Sequence, residues 1–339
     1  MKVLLTGGAG YIGSHTLLEL IKESMDVTVV DNLVNSSFEA VRRVQLLTDK
    51  HVEFLPMDLL DRQELSKLFD NHDFDTVIHL AGLKTVSESL ENPLTYYENN
   101  ISGTINLCNA MVNHGVHNLI FSSSATVYGD PSELPIKEES SVTGTTNPYG
   151  ETKLIIEKIL MDLRDSNPQW NAVILRYFNP GGAHQSGHIG EDPNGIPNNL
   201  VPYISQCAAG RRKELTVFGK DYLTRDGTCI RDYIHVVDLA LGHLAALTKI
   251  KEEPGVVIYN LGTGKGSSVL EVIHTFEEVN KVKVPYIFGP RRVGDIPECY
   301  TDPTKANREL HWKATGTLEH ICRDAWNWQK HNPLGYAKG

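Results

Sequence analysis

With 339 residues, 40% of them hydrophobic, the chain can bury a large core and has room for one large domain carrying a smaller one, which excludes intrinsic disorder. Its formal net charge of −10, from 42 acidic and 32 basic residues, repels a nucleic-acid backbone, so no nucleic acid and a small-molecule partner are expected. Five cysteines, Cys108, Cys207, Cys229, Cys299 and Cys322, show no Cys-x-x-Cys spacing, and their odd number leaves one unpaired, which fits reduced thiols and a cytoplasmic location.

The first predicted element is the apolar strand Lys2-Val-Leu-Leu-Thr6, with neither a basic leader nor a cleavage site before it. No later stretch is apolar enough to span a bilayer, so neither export nor a membrane partner is expected. Short apolar runs follow at 27–31, 52–56, 76–80, 119–122 and 172–177, each separated by room for a crossover helix. That alternation predicts an α/β fold with a doubly wound parallel sheet of Rossmann type. Past Asn179 a Gly/Pro/Asn-rich stretch, a turn-rich segment and short elements predict a smaller C-terminal α/β substrate-binding lobe. The expected division is a dinucleotide-binding domain over 1–178 and a lobe over 179–339, with a strand at 256–261 returning to the main sheet.

Directly after the first strand stands Gly7-Gly-Ala-Gly10-Tyr-Ile-Gly13, and residues 14–21 are helical in pattern. Backbone without side chains can approach a pyrophosphate, which then sits at the positive end of the helix. Asp31 ends the second strand at about the 20-residue distance where a carboxylate accepts hydrogen bonds from the adenine ribose. Its charge repels a 2′-phosphate, so NAD is expected rather than NADP. The competing reading of Asp31 is a cap for the turn before Asn32.

Tyr149-Gly-Glu-Thr-Lys153 opens a predicted long helix, Pro148 suiting its first turn. Residues four apart share a face, so the phenol and the ammonium point to one place, and the serine run Ser122-Ser-Ser124 ends a neighbouring strand. An alcohol must lose a proton as hydride departs, and a phenol with a reference pKa of about 10 is a poor base at neutral pH. Bringing it near 7 takes about 4 kcal/mol. Lys153 and a positive nicotinamide ring are the expected source, with Ser124 holding the same oxygen. Tyr149, Lys153 and Ser124 are therefore the candidate catalytic residues. The pairs His114/His117 and His184/His188 lack acidic neighbours in a metal-protease pattern, and no metal is expected.

The spacing Gly7-x-x-Gly10-x-x-Gly13 resembles that of the extended short-chain dehydrogenases. In that family the third strand ends in an acidic-aliphatic pair near adenine, matched by Asp58-Leu59, and the fourth in a turn close to the cofactor, matched by Ala81-Gly82-Leu83-Lys84. Asn99, within Tyr96-Tyr-Glu-Asn-Asn100, matches an asparagine beside the nicotinamide half. The same resemblance implies cofactor contacts from Tyr11 and Ile12, from Asn32, Asn35 and Ser36, and from Ser122, Tyr177 and Phe178, besides Tyr149 and Lys153.

From residue 3 to about 328 the chain is similar more narrowly to the UDP-glucose 4-epimerases. The stretches that carry this include His79-Leu-Ala-Gly-Leu-Lys84, Phe121-Ser-Ser-Ser-Ala-Thr-Val-Tyr-Gly129, Leu175-Arg-Tyr-Phe-Asn-Pro180 and Arg231-Asp-Tyr-Ile-His235. The resemblance implies a UDP-hexose substrate and a reaction without net redox change. NAD takes hydride from C4, the 4-keto sugar turns over, and hydride returns to its other face. Implied substrate contacts are Lys84, Ser124 and Tyr149 at the hexose, Asn179 near the diphosphate, Asn199, Leu200 and Phe218 around the uridine, Arg231 and Arg292 on the phosphates, and Asp295 at the ribose. Elementary chemistry agrees, since a dianionic diphosphate calls for separated arginines with forked donors. Cys299 stands where the family carries a bulky tyrosine or a small residue, and a thiol leaves room for the 2-acetamido group of UDP-GlcNAc and UDP-GalNAc. A homodimer through the helical segments 94–114 and 149–163 is implied by analogy.

Two other readings stay open. Nucleotide-sugar dehydratases of this fold place an acidic pair just after the active-site hydroxyl, where this chain has Ala125-Thr126-Val127. A non-catalytic NAD-binding regulator needs no tyrosine and lysine, and here both are intact.

Overall fold

A computed structural model describes residues 1–142, 144–292 and 294–336. Strands and helices alternate from the start: β1 (Lys2–Thr6), α1 (Tyr11–Lys22), β2 (Asp26–Asp31), α2 (Phe38–Thr48), β3 (Glu53–Pro56), α3 (Arg62–Asn71) and β4 (Thr76–His79). Two short helices, α4 (Val86–Glu91) and α5 (Pro93–Tyr96), lead through a π-helical turn, Tyr97–Ser102, into α6 (Gly103–Asn113). Then come β5 (Asn118–Ser124), a 3-10 turn at Ala125–Tyr128, α7 (Pro148–Ser166) and β6 (Asn171–Tyr177). The remaining elements are β7 (Asn179–Gly181), α8 (Leu200–Ala208), β8 (Leu215–Phe218), β9 (Ile230–His235), α9 (Val236–Ile250), β10 (Val256–Leu261), β11 (Gly266–Ser268), α10 (Val269–Asn280), β12 (Tyr286–Gly289), β13 (Glu298–Cys299), α11 (Thr304–Glu309) and α12 (Leu318–His331).

Seven strands form one sheet in the order β10-β6-β5-β4-β1-β2-β3, every pair parallel, which is the doubly wound α/β architecture expected from the alternation. Alternate residues of each strand serve opposite faces. Leu5, Ile78, Ile120 and Val173 pack with Leu17 and Leu20 of α1, Val41 of α2, and Leu239 and Leu247 of α9. Leu4, Val77, Leu119 and Ile174 pack on the other side with Leu65 of α3, Leu107 and Met111 of α6, and Ile156 and Leu160 of α7. Both faces are covered, which is why the strands read as continuous apolar runs rather than alternating ones. Outside this sheet, β9 pairs with β7, β11 and β13, and β8 with β12. A third apolar cluster, including Val201, Ile204, Val272, Phe276 and Ile321, joins these strands to α8, α10 and α12.

The structure departs from the single helix expected over 94–114. The chain there runs through α5, the π-turn and α6, and the wider turn delivers the Asn100 side chain to the loop after β4. Helical periodicity does not register such a turn, because one extra residue displaces the apolar stripe only locally.

Three histidines lie inside the main fold: His15, His79 and His243 are 1%, 2% and 0% exposed. At His79, Thr104 gives its own proton to the Asn100 carbonyl and so accepts from Nε2, leaving Nδ1 to accept from Thr6. Burial pushes His15 and His79 down to about 3 and His243 to about 4, so all three are neutral at pH 7. Once unfolded they titrate near ~6.5, so below that pH the unfolded chain binds more protons than the folded one. Stability present above ~6.5 is lost as the pH falls toward 4. The melting temperature is therefore expected to drop between pH 7 and pH 5, each histidine contributing up to about 2 kcal/mol at the lower value. Superimposable melting curves at the two pH values would contradict it.

Candidate active site

The site lies along the carboxyl edge of the main sheet, where strand order reverses between β1 and β4. Gly7 leaves β1 at φ +73°, and a Cβ there would stand 2.6 Å from the Ala81 nitrogen. A Cβ on Gly13 would stand 2.1 Å from the Gly7 carbonyl. The turn is thus closed against side chains. Gly10 forms the N-cap of α1 with no side-chain hydrogen bond at the cap and no acid in the first turn, which leaves the positive helix end to a ligand. This cradle fits a dinucleotide pyrophosphate.

Around it stand the other residues singled out for the cofactor. The Asp31 carboxylate, buried at the end of β2, accepts from the Ala9 nitrogen at 3.1 Å, the Leu33 nitrogen at 2.9 Å and the Ser36 hydroxyl at 2.7 Å. It ties the glycine turn to the β2 turn and keeps a negative charge between them. Asn32 donates to Asp58 at 3.0 Å, joining the ends of β2 and β3, with Leu59 half-buried beside them and Asn35 exposed. Tyr11 donates to the Gly182 carbonyl, and Ile12 packs against the main core. Ala81 and Gly82 cross the end of β4, and Asn99 is half-buried in the π-turn.

The candidate catalytic groups meet where α7 starts beside the end of β5. Pro148 occupies the first turn of α7, and Asn147 caps it, accepting from the Gly150 nitrogen at 2.9 Å. Lys153 Nζ donates to the Ser122 carbonyl at 2.7 Å and stands 6.0 Å from the centre of the Tyr149 ring. Ser124 Oγ accepts from the Thr126 nitrogen and the Thr126 hydroxyl, so its own proton remains to donate. Burial pushes the Tyr149 phenol above its ordinary value, the Ser124 hydroxyl acting the other way. Burial also lowers Lys153 to about 8, with Glu157 one turn further on acting to raise it. The expected fall of the phenol toward 7 rested on Lys153 together with a positive nicotinamide ring; with the chain's own groups alone the phenol stands above its ordinary value. Removing a phenolate from water outweighs what the neighbouring side chains return.

Behind these groups Tyr177 meets His243 at 2.5 Å, and Phe178 is buried with Val127, Tyr128 and Cys299. Because His243 Nδ1 donates to the Leu239 carbonyl, its Nε2 accepts the Tyr177 proton.

On the facing side, Arg231 of β9 and Arg292, distant in the chain, converge on one carboxylate. Arg292 Nε donates to Asp295 at 2.9 Å, and Arg231 lies 3.6 Å from the same side chain. The Arg292 guanidinium stacks 5.1 Å from the ring of Phe218, which is exposed at the end of β8. Cys299 of β13 pairs in register with Arg231, and burial pushes its thiol up to about 11. Asn179 is exposed on β7, and Leu200 opens α8 against the third apolar cluster.

Two residues to which the sequence reading gave no role join these groups. Glu191, nearly buried, accepts from Asn199 at 2.7 Å and pairs with Lys84 at 3.3 Å, linking an expected uridine contact to an expected cofactor contact. Asn100 accepts from the Leu83 nitrogen and donates to the Leu83 carbonyl and to Thr152 of α7, clamping the β4 loop to that helix. Glu191 stands in no motif and Asn100 only follows Asn99 in the 96–100 segment, so the fold alone reveals their partners. Among the described residues no three His, Cys, Asp or Glu side chains gather as a metal would need, the five cysteines are buried and free, and no helix is long and apolar enough to cross a membrane.

The sequence pattern of the NAD dependent epimerase/dehydratase family matches residues 3–262. The UDP-glucose 4-epimerase of Pasteurella multocida (strain Pm70) is 55% identical over 336 residues, covering 99% of each chain. Among solved structures, UDP-glucose 4-epimerase from Bifidobacterium longum in complex with NAD+ and UDP superposes with a TM-score of 0.96 at 51% identity, covering 99% of this chain and 100% of the other. The Stenotrophomonas maltophila enzyme, with bound NAD and formylated UDP-arabinopyranose, gives a TM-score of 0.96 at 48% identity over 98% and 99% of the two chains. The match spans both the glycine cradle and the Tyr149/Lys153 helix, and the chain belongs to the NAD dependent epimerase/dehydratase family.

Proposed function

We propose that this chain is an NAD-dependent isomerase that interconverts UDP-galactose and UDP-glucose at C4 through a 4-keto sugar. The observation that carries the reading is the meeting of Tyr149, Lys153 and Ser124 between a dinucleotide cradle and a pair of arginines suited to a diphosphate. The glycine cradle at Gly7, Gly10 and Gly13 would hold NAD, which would supply the acceptor and donor of the C4 hydride. Ser124, whose proton is free to donate, orients the C4 oxygen. Tyr149 takes the hydroxyl proton as the C4–H bond breaks and gives it back to the carbonyl oxygen on the return. Lys153, fixed by the Ser122 carbonyl, is mostly protonated at neutral pH and favours the phenolate by its charge. Burial holds the phenol up, and a positive nicotinamide would act with Lys153 in favouring the phenolate.

Dehydration is disfavoured because Ala125, Thr126 and Val127 after Ser124 supply no acid to expel a 6-hydroxyl. A silent NAD-binding regulator does not require the ordered Tyr149–Lys153 pair. The buried, unpaired cysteines suit the reducing cytosol. Apolar surface left open at Ile105 and Val112 of α6 and Met161 of α7 suits a homodimer through these helices. A monomer in sedimentation at micromolar concentration counts against the dimer.

The test of the main reading is a coupled assay of UDP-galactose conversion with the wild type and Tyr149→Phe. The substitution is expected to lower turnover by roughly 10²-fold or more while NAD stays bound, as for loss of a positioned acid/base. Near-normal turnover would remove Tyr149 from the mechanism. For substrate breadth, Cys299, in register with Arg231, is much smaller than a tyrosine at the same place, so UDP-GlcNAc and UDP-GalNAc are expected to interconvert as well. Cys299→Tyr should suppress that reaction and largely spare the plain hexoses. A wild type inert toward UDP-GlcNAc sinks the idea.

A further inference from the structure

Three side chains on one face of α7, Tyr149, Lys153 and Glu157, follow one another at intervals of four residues and meet the three serines that end β5. Ser124 acts on the Tyr149 phenol, the Ser122 carbonyl accepts from Lys153 at 2.7 Å, and the Ser123 hydroxyl donates to Glu157 at 2.5 Å. Glu157 is 1% exposed and Ser123 1%, so this last contact lies wholly inside the protein. Arg176 of β6, directly opposite Ser123 in the sheet register, holds the same carboxylate with Nε at 3.0 Å and Nη2 at 2.6 Å. The Arg176 guanidinium also stacks 4.7 Å from the ring of Tyr128, which ends the 3-10 turn that Ser124 caps. One buried ion pair thus grips the helix, two adjacent strands and the turn after Ser124. A buried pair is seldom worth more to stability than apolar side chains of the same volume. What such a pair supplies is a single register, since a helix displaced along its axis would leave both charges unpaired.

We propose that Glu157, with Arg176, is a positioning residue that fixes the height of α7 against β5 and so places Tyr149 and Lys153 for proton transfer. The proposal rests on the reading of Tyr149 and Lys153 as the proton-handling groups. Glu157 touches none of the candidate UDP contacts, so its effect belongs in kcat rather than in nucleotide binding.

The experiment compares wild type, Ser123→Ala, the double variant Glu157→Met/Arg176→Met and Tyr149→Phe. For each, kcat and KM for UDP-galactose, UDP affinity by calorimetry and melting temperature are measured. The double variant removes both charges together, so no unpaired buried ion remains to unfold it. It is expected to keep UDP affinity and KM within about 2-fold and to lose about 10-fold or more in kcat, as for misplacement of a reacting group. Ser123→Ala, which leaves the ion pair in place, is expected to lower kcat about 3-fold with KM unchanged. A folded double variant with wild-type kcat overturns the proposal, and wild-type kcat in Ser123→Ala confines the positioning to the ion pair. If Tyr149→Phe is inactive while those variants turn over normally, the positioning role alone fails. If Tyr149→Phe itself remains active, the reading of the site fails first.

Discussion

The parallel pairing of β1 with both β2 and β4 is the constraint on which the rest of the site depends. It brings the ends of three strands to one edge and turns the chain away in opposite directions on either side of β1. Gly7 then runs so close to Ala81 that only glycine fits, and the turn delivers the bare N-terminus of α1 to the gap. Asp31 closes the same gap from the β2 side through the Ala9 nitrogen. A backbone contact, rather than any side-chain chemistry, therefore sets where a dinucleotide can lie.

The charges of the facing side are balanced in advance. Lys84 is paired with Glu191, while Arg231 and Arg292 share Asp295. Cations so held keep a defined place without collapsing onto unrelated acids. A dianionic diphosphate arriving there competes with a carboxylate for the guanidiniums and gains affinity from the difference. The catalytic end follows the opposite rule. Tyr149 and Lys153 are buried, which pushes the phenol up and the ammonium down, so the phenolate is disfavoured while Lys153 keeps most of its charge at neutral pH.

Much of the fold was legible because parallel strands covered on both faces leave apolar runs that need no long-range knowledge to see. The runs at 27–31 and 172–177 differ from the observed strands by one residue at the amino end, and the first strand coincides with β1. The π-turn at Tyr97–Ser102 was not legible, since it alters the helix by one residue without altering composition. The resemblance to a known family supplied roles for residues such as Phe218 and Asp295 that no local pattern distinguishes.

By itself, the amino-acid sequence determined the alternation of elements, the glycine turn, the acidic end of β2 and the four-residue step from Tyr149 to Lys153, because each depends on neighbours within a turn or a strand. Tertiary structure alone decided that Glu191 joins Lys84 to Asn199, that Arg231 and Arg292 meet on Asp295, and that Ser123 and Arg176 meet on Glu157. It also decided that burial raises the phenol instead of lowering it. The physical reason is common to all four. A buried carboxylate or phenol takes its partners and its dielectric surroundings from segments far away in the chain, and those come together only when the sheet closes.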